Sequence, residues 1–263
     1  NQRAQPCMVC HGKQGQARRD GYYPRIAGKP AGYLLNQLRG FRDGRRYFPM
    51  MTYLVELQRD DYLRELATYF ADQQVPYPPP ESPRVSAATL ERGRTLVMQG
   101  DPALHLPACR SCHGSRLLGV EPAVPGLVGV SQDYLIAQIS NWRLGRRAAL
   151  APDCMAQIAH RLSKADANAA AAFLAMQAVP AEARADSAFE RQPPMKCGSI
   201  VPGDSQSGET PPSAYAPSAD AVERGRYLVT LADCRSCHTA IGGKPFAGGR
   251  AISTSFGTFF SPN

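Results

Sequence analysis

Six of the eight cysteines fall into three pairs, Cys7 and Cys10, Cys109 and Cys112, Cys234 and Cys237, and a histidine follows each pair directly: His11, His113 and His238. Only His105 and His160 lie elsewhere. Two thiols at this spacing on the end of a helix reach both vinyl groups along one porphyrin edge. The next residue then projects its imidazole at the iron, which is the pattern of c-type haem attachment. Other chemistries fit less well. A thioredoxin-like centre needs one Cys-x-x-Cys in a βαβ setting, which is absent. A zinc centre would pair two such knuckles, and an odd number strands one. A disulfide framework has no use for the histidines. The reading is three covalently bound haem c groups, with the histidines as iron ligands.

An internal repeat supplies the elements that must position these sites. Tyr33-Leu-Leu-Asn-Gln-Leu-Arg-Gly-Phe-Arg-Asp-Gly-Arg-Arg46 aligns with Tyr134-Leu-Ile-Ala-Gln-Ile-Ser-Asn-Trp-Arg-Leu-Gly-Arg-Arg147. Leu34, Leu38 and Phe41 fall on one helical face, and the glycine before each arginine pair marks the helix end. Each copy stands at the same distance from its own Cys-x-x-Cys-His, within one residue. Asp61–Ala71 parallels Ala165–Ala175 as a closing helix, each followed by proline, Pro76 and Pro180. Residues 1–78 and 86–180 therefore read as two copies of one haem domain.

A third copy begins near 218. Glu223-Arg-Gly-Arg-Tyr-Leu-Val229 repeats Glu91-Arg-Gly-Arg-Thr-Leu-Val97, a helix leading into a haem site, and its glycine lets another helix cross closely. Residues 218–263 thus read as the start of a third domain. Both ends look trimmed: the chain opens on Asn1, only six residues precede Cys7, and 25 follow His238. Val75–Pro83 reads as a stiff connector. Residues 181–217, rich in Pro, Ser, Gly and Ala, read as an irregular linker over the surface.

Histidine leaves one iron position open, and a thioether there gives a low-spin iron of raised potential suited to electron transfer. Met155 precedes Leu174-Ala175 by 19 and 20 positions, and Met51 precedes Phe70-Ala71 by the same numbers. The shared register selects Met51 and Met155 as axial ligands, with Met50 the alternative to Met51. Met8, Met98, Met176 and Met195 lack that register and read as packing or surface. No methionine follows His238. Its iron would take a sixth ligand from a missing segment, from another chain, or from nothing.

Several smaller signals stay open. Cys154 and Cys197 either form a disulfide or leave Cys154 free beside Met155 as a thiolate ligand, the arrangement a haem enzyme of peroxidase or thiosulfate-oxidising type would need. Pro24 and Pro125 match in the repeat. Their carbonyls, and that of Pro245, are candidates to accept the proximal His N–H. Arg45-Arg46 and Arg146-Arg147 either pair with haem propionates or form a solvated face.

The 263 residues suffice for two or three small domains, and 43% hydrophobic with 20% charged residues reads as globular and soluble. No run of about 18 apolar residues or signal peptide is present. The net charge is +8, but the basic residues are scattered, with no block resembling a nucleic-acid arm.

Residues 1–180 resemble the tandem di-haem cytochromes c of bacteria, through Cys-Met-Val-Cys-His-Gly, Tyr-Pro-Arg-Ile-Ala-Gly, Gly-Tyr-Leu-Leu-Asn-Gln-Leu-Arg and the methionine before an Ala-rich closing helix. That resemblance implies an all-α fold of paired class I cytochrome c domains. Cys-Arg-Ser-Cys-His-Thr-Ala, Gly-Gly-Lys-Pro-Phe-Ala-Gly-Gly-Arg and Phe-Gly-Thr-Phe-Phe-Ser-Pro-Asn263 are similar to the cytochrome subunits of membrane-associated alcohol and aldehyde dehydrogenases, whose tri-haem relatives serve molybdenum hydroxylases. There the chain continues and supplies the axial methionine later. Together they imply a periplasmic electron-transfer subunit rather than an enzyme. Its donor would be a molybdenum, flavin or quinoprotein dehydrogenase, and its acceptor a quinone, a cytochrome or a terminal oxidase. Membrane association would be peripheral, through partners or a missing C-terminal segment. A free periplasmic shuttle is the alternative.

Overall fold

The structure, a computed structural model, describes residues 2–17, 22–180, 183–200, 221–223, 225–226, 234–254 and 257–262. The chain divides into two compact units, Asn1–Gly208 and Glu209–Asn263.

The larger unit is built from helices: α1 (Gln5–His11), α2 (Ala31–Arg42), α3 (Pro49–Val55) and α4 (Asp60–Ala71), then α5 (Ala87–Met98), α6 (Arg110–His113), α7 (Gln132–Arg143), α8 (Cys154–Arg161) and α9 (Lys164–Ala175). The run α2-α3-α4 recurs as α7-α8-α9, and α1 as α6. Strands are limited to short pieces: β1 (Gly119–Val120) and β2 (Val124–Pro125) pair antiparallel.

Helix α4 buries Leu63, Leu66, Ala67 and Phe70, a helical stripe that packs on Leu34, Leu35 and Phe41 of α2. Arg39 of α2 grips Asp60 at the start of α4, its Nε 2.7 Å from Oδ1. In the second copy, α9 is buried along its alanines and meets Val97 of α5 and Leu135 of α7. Here small side chains let backbones approach. A Cβ on Gly93 would stand 2.0 Å from the carbonyl oxygen of Ala169, so α5 and α9 cross through that glycine, as expected of it. Arg92 bridges the crossing, reaching Asp101 at 2.9 Å and Asp166 at 2.7 Å.

The two copies differ in how their helices begin. Ser86, Ser131, Asp153 and Ser163 cap α5, α7, α8 and α9 through side-chain oxygens. Pro30, Phe48 and Arg59 precede α2, α3 and α4 with no such bond. A cap of this kind contributes about 1 kcal/mol.

Arg46 and Arg147 form an antiparallel bridge that joins the copies. Tyr47 N donates to Arg146 O at 2.8 Å and Ala148 N to Arg45 O at 2.6 Å. Gly32 donates to Pro122 O at 3.0 Å, and a Cβ there would sit 2.7 Å from that oxygen. Buried Arg25 holds the connector by donating to Val75 O and Pro76 O, and it stacks on Tyr77 at 3.9 Å.

In the smaller unit, α10 (Cys234–His238) is followed by a hairpin, β3 (Ala251–Thr254) with β4 (Gly257–Phe260), in register Ala251↔Phe260. The sequence pattern alone predicts no hairpin here. The repeat residues 224 and 227–229 lie outside the described residues, as does about half of the 181–217 linker. The described part of that linker is not featureless: Val120 and Asp186 bridge, and Gly198–Ile200 forms a 3-10 turn. No helix among the described residues is long and apolar enough to cross a membrane.

Candidate haem centres

His11 and His113 each end a short helix, and the glycine after each reverses the chain. Gly12 has φ +77° and Gly114 φ +86°, and at Gly12 a Cβ would lie 2.5 Å from Ala17 O. The reversal carries each chain into a loop whose proline carbonyl faces back. His11 Nδ1 lies 2.8 Å from Pro24 O, and His113 Nδ1 lies 2.8 Å from Pro125 O. A carbonyl only accepts, so Nδ1 carries the hydrogen and Nε2 keeps its lone pair for a metal. Burial, reinforced by Arg46 at His11 and by Lys29 at His113, lowers both imidazole pKa values and keeps the rings neutral.

The four thiols Cys7, Cys10, Cys109 and Cys112 are free and partly buried. Burial raises the pKa of Cys7 and Cys112 and pushes Cys109 up to about 11. Such thiols are poor thiolate ligands or redox nucleophiles. Among the described residues no cluster of three or more His, Cys, Asp or Glu side chains could hold a metal ion.

One cavity of about 1170 Å³ is lined by Cys7, Cys10, His11 and Met51 and by Cys109, Cys112, His113 and Met155. Single-ligand pockets span about 300–1,000 Å³, and this one serves two sets of attachment residues. Asn36, on its wall, buries an Nδ2 with no hydrogen-bond partner among the described residues. Haem fits these residues: paired thiols for its vinyl edge, a neutral imidazole and a thioether for its iron, and an apolar enclosure. When bound, haem supplies one-electron exchange at iron, and the chain fixes ligation, burial and spacing.

On the distal side, α3 carries both candidates of the first copy. Both line the cavity; Met51 packs against the core, and Met50 is 55% exposed. Helix α8 carries Met155. Asp153 fastens it, accepting from Ala156 N at 2.9 Å, Ala149 N at 2.7 Å and Trp142 Nε1 at 3.2 Å. Cys154 is bonded to Cys197, so it is no thiolate ligand, and that argument for a haem enzyme is lost. Met195, two residues before Cys197, also lines the cavity.

The second arginine of each pair, Arg46 and Arg147, turns inward, while Arg146 stays exposed. Arg147 is 7% exposed. Its guanidinium donates to Gln138 Oε1 at 2.7 Å and Gln37 Oε1 at 2.9 Å and stacks on Trp142 at 4.0 Å. Arg46 donates to Gln37 at 3.0 Å, Gln138 at 2.9 Å and Tyr134 Oη at 3.0 Å. Burial pushes the Tyr33 phenol up, but Arg147, Arg46 and Lys29 outweigh it and bring it down to about 8. These cations line the cavity without an ion pair to any carboxylate among the described residues, which suits a group bearing carboxylates of its own.

In the smaller unit, His238 Nδ1 lies 2.8 Å from the carbonyl of Pro262, not of Pro245. The hairpin places Pro262 there: Gly249 N donates to Ser261 O at 2.8 Å and Ser261 N to Arg250 O at 3.0 Å. Cys234 is a partly buried free thiol. The Cys237 side chain lies outside the described residues. His105 and His160 are exposed. Sequence reasoning missed Lys29 and Asn36 because the repeat places Val130 and Ala137 opposite them, and a repeat highlights what is shared.

No protein-family model matches the sequence. The chain is 36% identical over 174 residues to the thiosulfate dehydrogenase electron acceptor of Thiomonas intermedia, covering 66% of this chain and 79% of that protein. The structure of reduced recombinant cytochrome c4 from Pseudomonas stutzeri superposes with a TM-score of 0.57 and 26% identity, over 66% of this chain and 95% of that one. A shorter match, 50% identical over 54 residues, relates 20% of this chain to 4% of a nicotinate dehydrogenase subunit from Pseudomonas putida. Paired proximal loops, a shared cavity and these likenesses agree: the chain belongs to the family of tandem class I cytochromes c that includes cytochrome c4 and the thiosulfate dehydrogenase electron acceptors, all-α proteins that bind haem c covalently and transfer electrons.

Proposed function

We propose that the chain carries three haem c groups and works in the periplasm as the electron-transfer subunit of a dehydrogenase. Residues 1–78 and 86–180 each form a haem domain, 181–217 link them onward, and 218–263 begin the third. Cys7, Cys10, Cys109, Cys112, Cys234 and Cys237 attach the haems. His11 with Met51, and His113 with Met155, ligate the first two irons, and His238 takes one side of the third.

The observation that carries the reading is the single cavity holding both Cys-Cys-His-Met sets. Two haems in one apolar enclosure exchange electrons without passing through solvent. The chain's residues hold Nδ1–H on a carbonyl and keep both rings neutral. The relative from Thiomonas intermedia is named an electron acceptor of a dehydrogenase, which supports a dehydrogenase as donor. The 54-residue match to a protein named as a nicotinate dehydrogenase subunit also supports a dehydrogenase as the partner. The acceptor is a quinone, a cytochrome or a terminal oxidase.

Isolation of the native protein under gentle conditions tests this. A co-purifying flavin, molybdenum or quinoprotein dehydrogenase whose substrate reduces the haem bands supports it. Recovery of a free monomer that no dehydrogenase reduces contradicts it and favours a soluble shuttle.

A further inference from the structure

The two copies are close enough in sequence that their differences at the cavity wall distinguish one haem from the other. Pro24 corresponds to Pro125, and the same register sets Lys29 against Val130. Lys29 does not stay with its own copy. Its Nζ lies 3.4 Å from the carbonyl oxygen of Gly126, the residue after Pro125. Pro125 in turn accepts the Nδ1–H of His113 at 2.8 Å. An ammonium from the first copy thus sits on the proximal loop of the second site, and its charge bears on His113. Val130 packs into the apolar core of the second copy and returns no charge to His11.

Burial lowers the Lys29 pKa from the usual lysine range; Arg25 and Arg147 add to that and Tyr33 opposes it, with no carboxylate among these groups. Arg46 and Arg147 occur in both copies and act as a pair. Arg25 is also unmatched, with Gly126 as its counterpart. It belongs to the first copy and is committed to the carbonyls of Ala27, Val75 and Pro76.

We propose that Lys29 sets the potential of the second haem, biasing an electron shared between the two toward the iron at His113. The inference rests on the reading that Cys109, Cys112 and His113 hold a haem. Reduction adds one electron from the donor and takes that iron from ferric to ferrous, cancelling one positive charge. A fixed cation nearby, screened little in an apolar enclosure, favours the reduced state.

The test uses the full haem-loaded chain and the variants Lys29→Val, Lys29→Met and Lys29→Arg. Haem content per chain is measured first, then a spectroelectrochemical titration. A Met51→His background assigns the waves, because loss of the thioether moves the first haem to lower potential. The expected result is a selective shift of the second-haem wave in Lys29→Val and Lys29→Met. The shift corresponds to about tenfold in the reduced-to-oxidised ratio, or about 59 mV for one electron. Lys29→Arg keeps the wild-type value. A full haem complement with the second wave unmoved overturns the proposal, as does an equal movement of both waves. A wild-type chain with no haem on Cys109 and Cys112 overturns the site reading beneath it.

Discussion

Arg46 and Arg147 pair backbone to backbone, and both guanidinium groups bond the same two glutamines, Gln37 and Gln138. The element that ends each repeat is therefore also the seam between the copies. Replacing Arg147 by Gln removes a charged donor from both glutamines and the stack on Trp142. Chemical denaturation of the oxidised, haem-loaded protein is expected to show a loss of about 2 kcal/mol, the range for hydrogen bonds from charged groups. An unchanged midpoint would deny the seam its structural role.

The two methionines proposed as axial ligands are held unequally. Met155 follows a capped helix start and a disulfide, whereas α3 begins at Phe48 without a side-chain cap. Titration of the oxidised protein with imidazole should displace Met51 at lower ligand concentration than Met155. The Met51→Ala and Met155→Ala variants should each bind carbon monoxide in the reduced state at one haem, while the wild type binds it at neither of these two. Carbon monoxide binding to the wild type at either site would refute the ligand assignment.

The disulfide closes a loop of 43 residues. Chain-entropy arguments give about 3–4 kcal/mol for a loop of that order. A Cys154→Ser, Cys197→Ser double variant should therefore lose about 3 kcal/mol in denaturation. It should also admit exogenous ligands at the second haem more readily, because residues 195–199 no longer stay against the cavity. If ligand access at that haem is unchanged, the staple does not guard it.

Gly93 cannot become alanine without moving α5 from α9, given 2.0 Å between the added Cβ and Ala169 O. Gly93→Ala should cost about 1–3 kcal/mol by overpacking, despite the better helix propensity of alanine. Thermal unfolding that rises instead of falling would show that the crossing yields.

Acid stability should carry a signature of Asp166. Its hydrogen bond from Arg92 holds the carboxyl below the usual range. A depressed carboxylate contributes stability that is present above its unfolded value, about 3.9, and lost as pH falls through the lower folded value. Arg92 is 38% exposed, so the contribution is no more than about 1 kcal/mol. Asp166→Asn should lower stability by that amount at pH 7 and flatten the acid limb below about pH 4. Parallel curves for wild type and variant would dismiss the pair.

What could be read beforehand followed from local rules. Cys-x-x-Cys-His spacing needs only neighbouring residues. The register of Met51 and Met155 needs only two copies of one helix pattern, as does the crossing at Gly93. Pro24 and Pro125 followed from the same alignment. Pro262 did not, because its place beside His238 depends on a hairpin between residues distant in sequence, and Pro245 was the nearer proline. The inward turn of Arg46 and Arg147 was hidden for the same reason: burial at a seam comes from the other copy, not from the helix that carries the residue. Lys29 reaches its carbonyl across 97 positions, and no periodicity records that.

Counting electrons tests the central claim most directly. Reductive titration of the purified haem-loaded chain, paired with its intact mass, gives haems and electrons per polypeptide together. The account predicts covalent haem on all three Cys-x-x-Cys-His sites and uptake of three electrons per chain. Any site without covalent haem, or an uptake that stops short of the haem count, would contradict it.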